Sequence, residues 1–443
     1  MRKTILLWAA LSLGILLAIP AYGEWEVEKV FLKGGTTKET PLYTIWEPIE
    51  FVLEADFAGQ TPPENYIIEW TCSGDDGREQ KGTAPADAPV HIQTMLDRPG
   101  FVRVRAHLRD EKGEIVRKPN LQGDASMVFF DGSAGVDIDQ IQGIPAPPDL
   151  EAFWAHQKAK LEEVPLSVNY RTEIPCETAG VKIYAVSVAC PGPAPVTGYL
   201  SIPSDAAPGS LPAQVIFPGY TDARQGKQTT GPKDRIMFVI NAHGYDLLKA
   251  HDPETGLEYH RQFVEAIRSN GFSYAFDPAQ NCNPETAYFN GMALRVMRAL
   301  EFVKSLPEWN GRDLEAQGGS QGGLQTIWAA ALDPDVTLAI PNIPWCCNLA
   351  GKSCGRVSYS WGIPYVMELN YYDPVHLAKF VPQTCTVKIQ RAGLGDYTCP
   401  PSGVAAFYNN LQCPKEITWV QGSTHGFIPP YQCQRFTLSS PAK

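Results

Sequence analysis

The chain has 443 residues, a formal net charge of −11, 44% hydrophobic and 19% charged residues, and eleven cysteines. This is the composition of an ordinary globular protein long enough for two or three domains, and too long to depend on a disulfide scaffold for its core. The acidic balance, with no block of Lys or Arg, argues against polyanion partners such as nucleic acid.

Residues 1–23 have the layout of a secretory signal peptide. Met1-Arg2-Lys3 precedes an apolar run from Ile5 to Ile19, and cleavage is expected after Gly23. The run is short and no second long apolar segment follows, so no membrane span is expected and the mature chain should be secreted or periplasmic. No cysteine near the cleavage point supports a lipid anchor. In an exported chain the cysteines are expected to form bridges, with Cys346, Cys347 and Cys354, and Cys385, Cys399, Cys413 and Cys433, as partners and at least one thiol left over. No C-x-x-C pair occurs, which removes support for structural zinc.

Residues 24–142 read as a β-sandwich that resembles an immunoglobulin-like domain. Ile49 to Ala55, Tyr66 to Trp70 and Phe101 to Leu108 alternate as half-buried strands, Ser73 to Gly77 is a turn, and Ser126 to Phe130 is a closing strand. Cys72 is the only cysteine in the segment, so no inter-sheet disulfide can form and a small buried hydrophobe is expected there. Tyr43, Trp46, Tyr66 and Trp70 are assigned to core packing in preference to sugar binding.

The proline-rich stretch Gly143 to Pro148 is a linker. Beyond it, residues 143–443 read as an α/β domain with a doubly wound, mostly parallel sheet. Leu150, Phe153, Trp154 and Leu161 share one side of a helix. Val181 to Val188 and Val196 to Ile202 read as an antiparallel pair, and Ala213 to Phe217 and Ile236 to Ile240 as buried parallel strands. In the helix from Tyr288 to Val303, Met292, Val296, Leu300 and Val303 form the core face, with Arg295, Arg298 and Glu301 expected toward solvent.

Gly318-Gly319-Ser320-Gln321-Gly322-Gly323 contains Gly-x-Ser-x-Gly, the nucleophile elbow in which a serine sits on a strained strand-to-helix turn. Glycines at 318 and 322 remove the clash that β-carbons would create. The helix following the elbow would aim its N-terminal amides at the serine. Asp313 to Gln317 is a poor feeding strand by propensity, so either tertiary context overrides it or Glu315 has a buried partner.

A serine hydroxyl needs a base, and in α/β-hydrolases the chain order is serine, acid, histidine. Only His376 and His425 follow Ser320. His425 lies in a glycine-flanked loop after a strand, where a base is delivered, whereas His376 reads as a structural residue in a first helical turn. For the acid, Asp396 ends a glycine loop after the strand Thr386 to Gln390, with room for one helix and one strand before His425. Asp373 precedes that strand and suits a helix cap, and Asp333 belongs to the helix after the elbow. The oxyanion amides are expected at Gln321 and, from the loop Phe217-Pro218-Gly219-Tyr220-Thr221, at Tyr220. His243, in the rival loop after the next strand, is read as a solvated residue in preference to a substrate contact. Trp345, Tyr359, Trp361 and Tyr365 are assigned to the core in preference to sugar stacking.

Several of these stretches together resemble the acetyl xylan esterase and cephalosporin-C deacetylase family. They are the Gly-Gly-Ser-Gln-Gly-Gly elbow, Gly393-Leu394-Gly395-Asp396 followed by Pro400-Pro401, Ala405 to Asn409, Tyr372-Asp373 with Leu377-Ala378, His425-Gly426, and Pro148 to Trp154. The resemblance runs from about residue 145 to about 430. It implies an α/β-hydrolase with Ser320 as nucleophile, Asp396 as acid, His425 as base, and oxyanion amides at Tyr220 and Gln321. Two departures stand out: Pro218-Gly219-Tyr220 replaces the family's usual His-Gly-Tyr, and no Arg-Gly-Gln is recognisable near Ala242-His243-Gly244. The expected activity is removal of acetyl or other short acyl groups from carbohydrate such as xylan, without metal or organic cofactor. A homo-oligomer is left open. The rival readings are a prolyl-oligopeptidase-like peptidase, for which the N-terminal segment is too short to be a propeller, and a non-catalytic glycan-binding protein.

Overall fold

The computed structural model describes residues 26–119, 125–358 and 362–442. The expected signal peptide, Tyr359 and Trp361 lie outside the described residues. Two larger sheets and one two-stranded pair form the N-terminal unit among the described residues. One is antiparallel and holds Phe31–Thr36, Ile49–Asp56 and Val90–Thr94; the other holds Leu42–Tyr43, Phe129–Val136, Gly100–Arg109, Ile67–Gly74 and Glu79–Pro85 in that spatial order. Alternate residues such as Phe51, Leu53, Val102, Val104 and Ala106 share one buried core with Cys72, the arrangement that period-two alternation demands. The closing strand departs from expectation. It breaks at Val128, so that Ala125–Met127 pairs with Arg117–Pro119 while Phe129–Val136 runs on along the main sheet. This second piece is buried on both faces, because its outer side rests on the second unit.

The second unit is built on a ten-stranded sheet: β1 (Val168–Ile174), β2 (Val181–Val188), β3 (Val196–Pro203), β4 (Leu211–Phe217), β5 (Ile236–Asn241), β6 (Trp309–Gly319), β7 (Leu338–Asn342), β8 (Thr386–Gly393), β9 (Lys415–Val420) and β10 (Arg435–Ser440). The spatial order is β1-β2-β3-β5-β4-β6-β7-β8-β9-β10. From β5 through β9 every pairing is parallel, and the two flanks are antiparallel. Helices α1 (Leu150–Glu163), α2 (Tyr288–Lys304), α3 (Gln321–Leu332) and α4 (Pro401–Asn410) cover it. The chain order reverses across the centre, between β5 and β6, which is where such sheets open a crevice at the carboxyl ends of their strands.

The conflict at β6 resolves through a partner. Leu314 and Ala316 are fully buried, while Glu315 and Gln317 point to the other face, where the Gln214 amide donates to both, at 2.7 and 2.9 Å. Arg235 pairs with Glu315 at 3.4 Å. Polar groups that lower the strand propensity are thus satisfied by one cross-strand amide and one cation.

Arg295 and Arg298 do not face solvent. Both are buried: Arg295 donates to the Ala242 carbonyl, and Arg298 to the carbonyls of Leu161 and Val164. The end of α1 and the loop after β5 cover what the helical period alone reads as an outer face. The bridges expected in an exported chain are also absent, since all eleven cysteines are unpaired. Six of them, Cys72, Cys346, Cys347, Cys385, Cys399 and Cys413, are buried and pack as small apolar side chains. Among the described residues no helix is long and apolar enough to cross a membrane.

Candidate active site

β6 ends at Gly319 and α3 begins at Gln321, so Ser320 is the single residue of the turn, with φ 58° and ψ −120°. A side chain in this region is strained, and the surroundings hold it there. The Ser320 amide donates to the Asn342 carbonyl at 3.0 Å, and its carbonyl accepts from Trp345 at 3.1 Å. A β-carbon on Gly318 would lie 2.5 Å from the Gly322 backbone, and one on Gly322 would overlap the Phe217 carbonyl. The two glycines therefore let β4, β6 and α3 meet. Ser320 is 8% exposed, and its hydroxyl has no hydrogen-bond partner among the described residues.

Asp396 follows β8 and His425 follows β9. The loops are tied together by the amides of Leu394 and Gly395, which donate to Val420 and Ser423 at 3.0 and 2.9 Å. Asp396, 1% exposed, turns Oδ2 to His425 Nδ1 at 3.0 Å and accepts from the amides of Thr398 and Cys399 on Oδ1 at 3.1 and 3.0 Å. A carboxylate accepts, so Nδ1 carries a proton, and in the neutral ring Nε2 keeps its lone pair. Nε2 makes no hydrogen bond among the described residues, and none joins it to Ser320. Asp396, Cys399 and His425 present ligand atoms within 4.8 Å of one another. Burial pushes the Cys399 thiol well above its ordinary value, so it stands as a neutral neighbour of the Asp396–His425 pair.

The other candidates are engaged elsewhere. Asp373 accepts from the amides of Val375, Asn348 and Leu349 and is fully buried, with its pKa raised to about 6 by desolvation. His376 is buried, and desolvation lowers its pKa to about 4. Asp333 binds Lys304 at 2.8 Å. His243 is not a solvated loop residue. It is 5% exposed, with Nε2 at 2.8 Å from the Thr221 carbonyl and Nδ1 at 2.7 Å from the Tyr288 hydroxyl. The carbonyl can only accept, so Nε2–H donates and Tyr288 donates to Nδ1.

His243 thereby holds the loop that carries Tyr220, and Tyr274 holds the same loop. The Tyr274 hydroxyl accepts from the Thr221 amide at 3.1 Å and donates to Gln321 Oε1 at 2.9 Å, and its ring stacks on Tyr220 with centroids 4.1 Å apart. The Gln321 amide opens α3, where an N–H has no acceptor within the helix. Sequence reasoning missed Tyr274, which lies in an irregular stretch with no motif around it. Trp345 is buried at 2% exposure against Tyr220 and Phe289, as a core residue. A cavity of about 250 Å³ lies beside it, lined by Cys347, Tyr365, Tyr397 and Ser402 among others.

The acid loop also rests on the sandwich. Ser133 donates to the Leu394 carbonyl at 2.6 Å and pairs with the Tyr397 hydroxyl at 2.7 Å, and the Gln421 amide bonds both backbone groups of Ser133 at 3.0 Å. Arg103 lies 4.0 Å from the centre of the Tyr397 ring.

A family model, described as acetyl xylan esterase (AXE1), matches residues 138–352 and 364–439. An acetyl esterase, Axe7A, of Xylanibacter ruminicola is 28% identical over 288 residues, and the match covers 61% of this chain and 61% of that protein. Among solved structures, an acetyl xylan esterase from Paenibacillus sp. R4 superposes with TM-score 0.54 and 23% identity, covering 66% of this chain and 94% of that one. Acetyl xylan esterase 1 from Thermoanaerobacterium sp. JW/SL YS485 superposes with TM-score 0.51 and 19% identity, covering 66% and 93%. The α/β-hydrolase fold and the matched span, which takes in β1 through β10, agree, and the chain belongs to the acetyl xylan esterase (AXE1) family.

Proposed function

We propose that this protein is an exported serine carboxylesterase that removes acetyl groups from carbohydrate such as acetylated xylan. One observation carries the reading: His425 Nδ1 is held by Asp396 at 3.0 Å while its Nε2 is unengaged, in a fold whose elbow offers a serine hydroxyl equally without a partner. Ser320 Oγ attacks the ester carbonyl as His425 Nε2 takes its proton. The negative charge that develops on the carbonyl oxygen is met by the amides of Gln321 and Tyr220, aided by the N-terminus of α3. The imidazolium, stabilised by Asp396, then gives its proton to the departing sugar oxygen. Water, activated by the same nitrogen, cleaves the acyl-enzyme and releases acetate. These steps need neither metal nor organic cofactor. Export rests on the layout of residues 1–23.

The test is hydrolysis of p-nitrophenyl acetate, an acetylated xylo-oligosaccharide and a proline-containing peptide by the wild type and Ser320→Ala. The wild type should release acetate from the first two, and the variant should lose activity by several orders of magnitude. Equal activity of the two proteins on acetate esters would sink the mechanism, and peptide cleavage without deacetylation would move the chain to the peptidase class.

A further inference from the structure

The strand Gly100–Arg109 turns its alternate residues in two directions. Val102, Val104, Ala106 and Leu108 enter the sandwich core. Phe101, Arg103, Arg105 and His107 form the opposite row: Phe101 packs on Trp419 at 5.6 Å, Arg103 is buried, and Arg105 is exposed. Two cavities meet along this row. One, of about 220 Å³, is shared by Arg103, Arg105 and His107 with Asp396 and His425. The other, of about 470 Å³, is shared by Arg103 and Arg105 with Arg78, Lys352 and Arg356.

Most of these charges are cancelled locally. Both oxygens of Asp131 are taken by Arg103, at 2.8 and 2.5 Å. Arg78 is held by Asp76 and Asp97 at 3.1 and 2.8 Å. Arg356 faces Asp75 at 3.5 Å and donates to the Pro99 carbonyl, and the one acid that lines this cavity, Glu79, is bound by Lys81 at 2.8 Å. Arg105 and Lys352 are left over, with no hydrogen bond or ion pair among the described residues. Asp131 feels the field of Arg105, but its oxygens are already occupied. An acidic chain thus keeps two cations without an ion-pair partner in a cleft that runs up to the His425–Asp396 pair.

We propose that this cleft is an anionic-sugar subsite, in which Arg105, with Lys352 on the same cavity, takes the carboxylate of a uronic acid carried by the acetylated oligosaccharide. The proposal rests on the esterase reading above and adds the substrate's charge to it. A guanidinium fork matches a carboxylate with two parallel hydrogen bonds, and the walls of a cleft weaken solvent screening. Arg105 comes from the sandwich and Lys352 from the unit that carries the chemistry, so the two units share one substrate.

The test is calorimetric titration of the full chain with a deacetylated xylo-oligosaccharide carrying one glucuronic acid and with its neutral counterpart, at low and high ionic strength. The charged ligand should bind about tenfold tighter at low salt, the advantage should shrink at high salt, and Arg105→Gln should erase it while Arg105→Lys keeps part of it. A thermal melt checks that each variant is folded. Equal or undetectable binding of the two ligands by the wild type, or an advantage that survives Arg105→Gln, overturns the proposal. Because neither ligand has an ester, this result stands apart from hydrolysis of p-nitrophenyl acetate, whose absence would instead overturn the esterase reading.

Discussion

The Tyr274 hydroxyl donates to Gln321 Oε1 at 2.9 Å, and through this bond the first residue of α3 is fastened to the loop on which Tyr220 sits. Both amides assigned to the oxyanion therefore have their separation set by a third residue. Tyr274→Phe keeps the stack on Tyr220 and removes the hydroxyl, leaving the Thr221 amide and the Gln321 side chain without it. The expected outcome is a fall in kcat of about tenfold with little change in KM, because the donors are misplaced in the transition state more than in the ground state. Steady-state kinetics on p-nitrophenyl acetate decide it; a KM effect alone would count against a role in positioning.

Asp396→Asn keeps the shape of the side chain but lets its amide face His425 Nδ1, which favours the wrong tautomer. Activity should fall by about 10³- to 10⁴-fold with the melting temperature little changed. A variant within tenfold of wild type would remove Asp396 from the triad.

The elbow glycines separate by position. Gly318→Ala and Gly322→Ala drive a β-carbon into backbone, whereas the nearest atom to a β-carbon on Gly319 is the Asn342 carbonyl oxygen at 3.9 Å. Soluble expression should survive Gly319→Ala and fail for the other two. The soluble yield of the three variants is the check, with circular dichroism of purified Gly319→Ala confirming its fold.

Gly395 lies where the acid loop touches the sandwich, and a β-carbon there would overlap the Asp131 carbonyl. In Gly395→Ala the loop must move off the sandwich and carry Asp396 with it. Esterase activity should fall by at least tenfold while the catalytic domain still unfolds cooperatively; a fully active variant would show that the contact does not position the acid.

His243 should leave a mark on stability against pH. Burial lowers its pKa to about 4 from an ordinary 6.5, so the unfolded chain binds a proton at this residue that the folded chain refuses between those values. Its contribution is complete above about pH 6.5 and is lost as pH falls toward 4, on the order of 3 kcal/mol at full effect. His376, lowered in the same way, adds to the loss, while Asp373, raised to about 6, opposes it because its folded form takes up a proton first. His243→Gln, which retains a donor for Thr221, should flatten the acid side of a melting-temperature profile. An unchanged slope would mean that the histidine titrates normally.

Glycine spacing announced the elbow because a β-carbon at 318 or 322 is sterically impossible in that turn, a constraint local enough to be written in six residues. Strand alternation and helical period likewise revealed the two fold classes and most of the elements of the catalytic sheet. The same reasoning misplaced Arg295 and Arg298, since a helical face is outer or inner only by virtue of what the end of α1 and the loop after β5 lay over it. It gave His243 to solvent because nothing near it in the chain shows that Thr221 and Tyr288 converge on its ring. Cysteine count argued for bridges, but all eleven thiols are unpaired, and six of them are buried.

What the sequence by itself determined is therefore what depends on neighbours in the chain: the strained turn at Ser320 and the alternation that builds each sheet. Only the tertiary structure decided which polar groups find partners: Gln214 and Arg235 with Glu315, Tyr274 with Gln321, and Ser133 with the acid loop. Local sterics act within a few residues, whereas burial and hydrogen-bond satisfaction depend on atoms that only folding brings together.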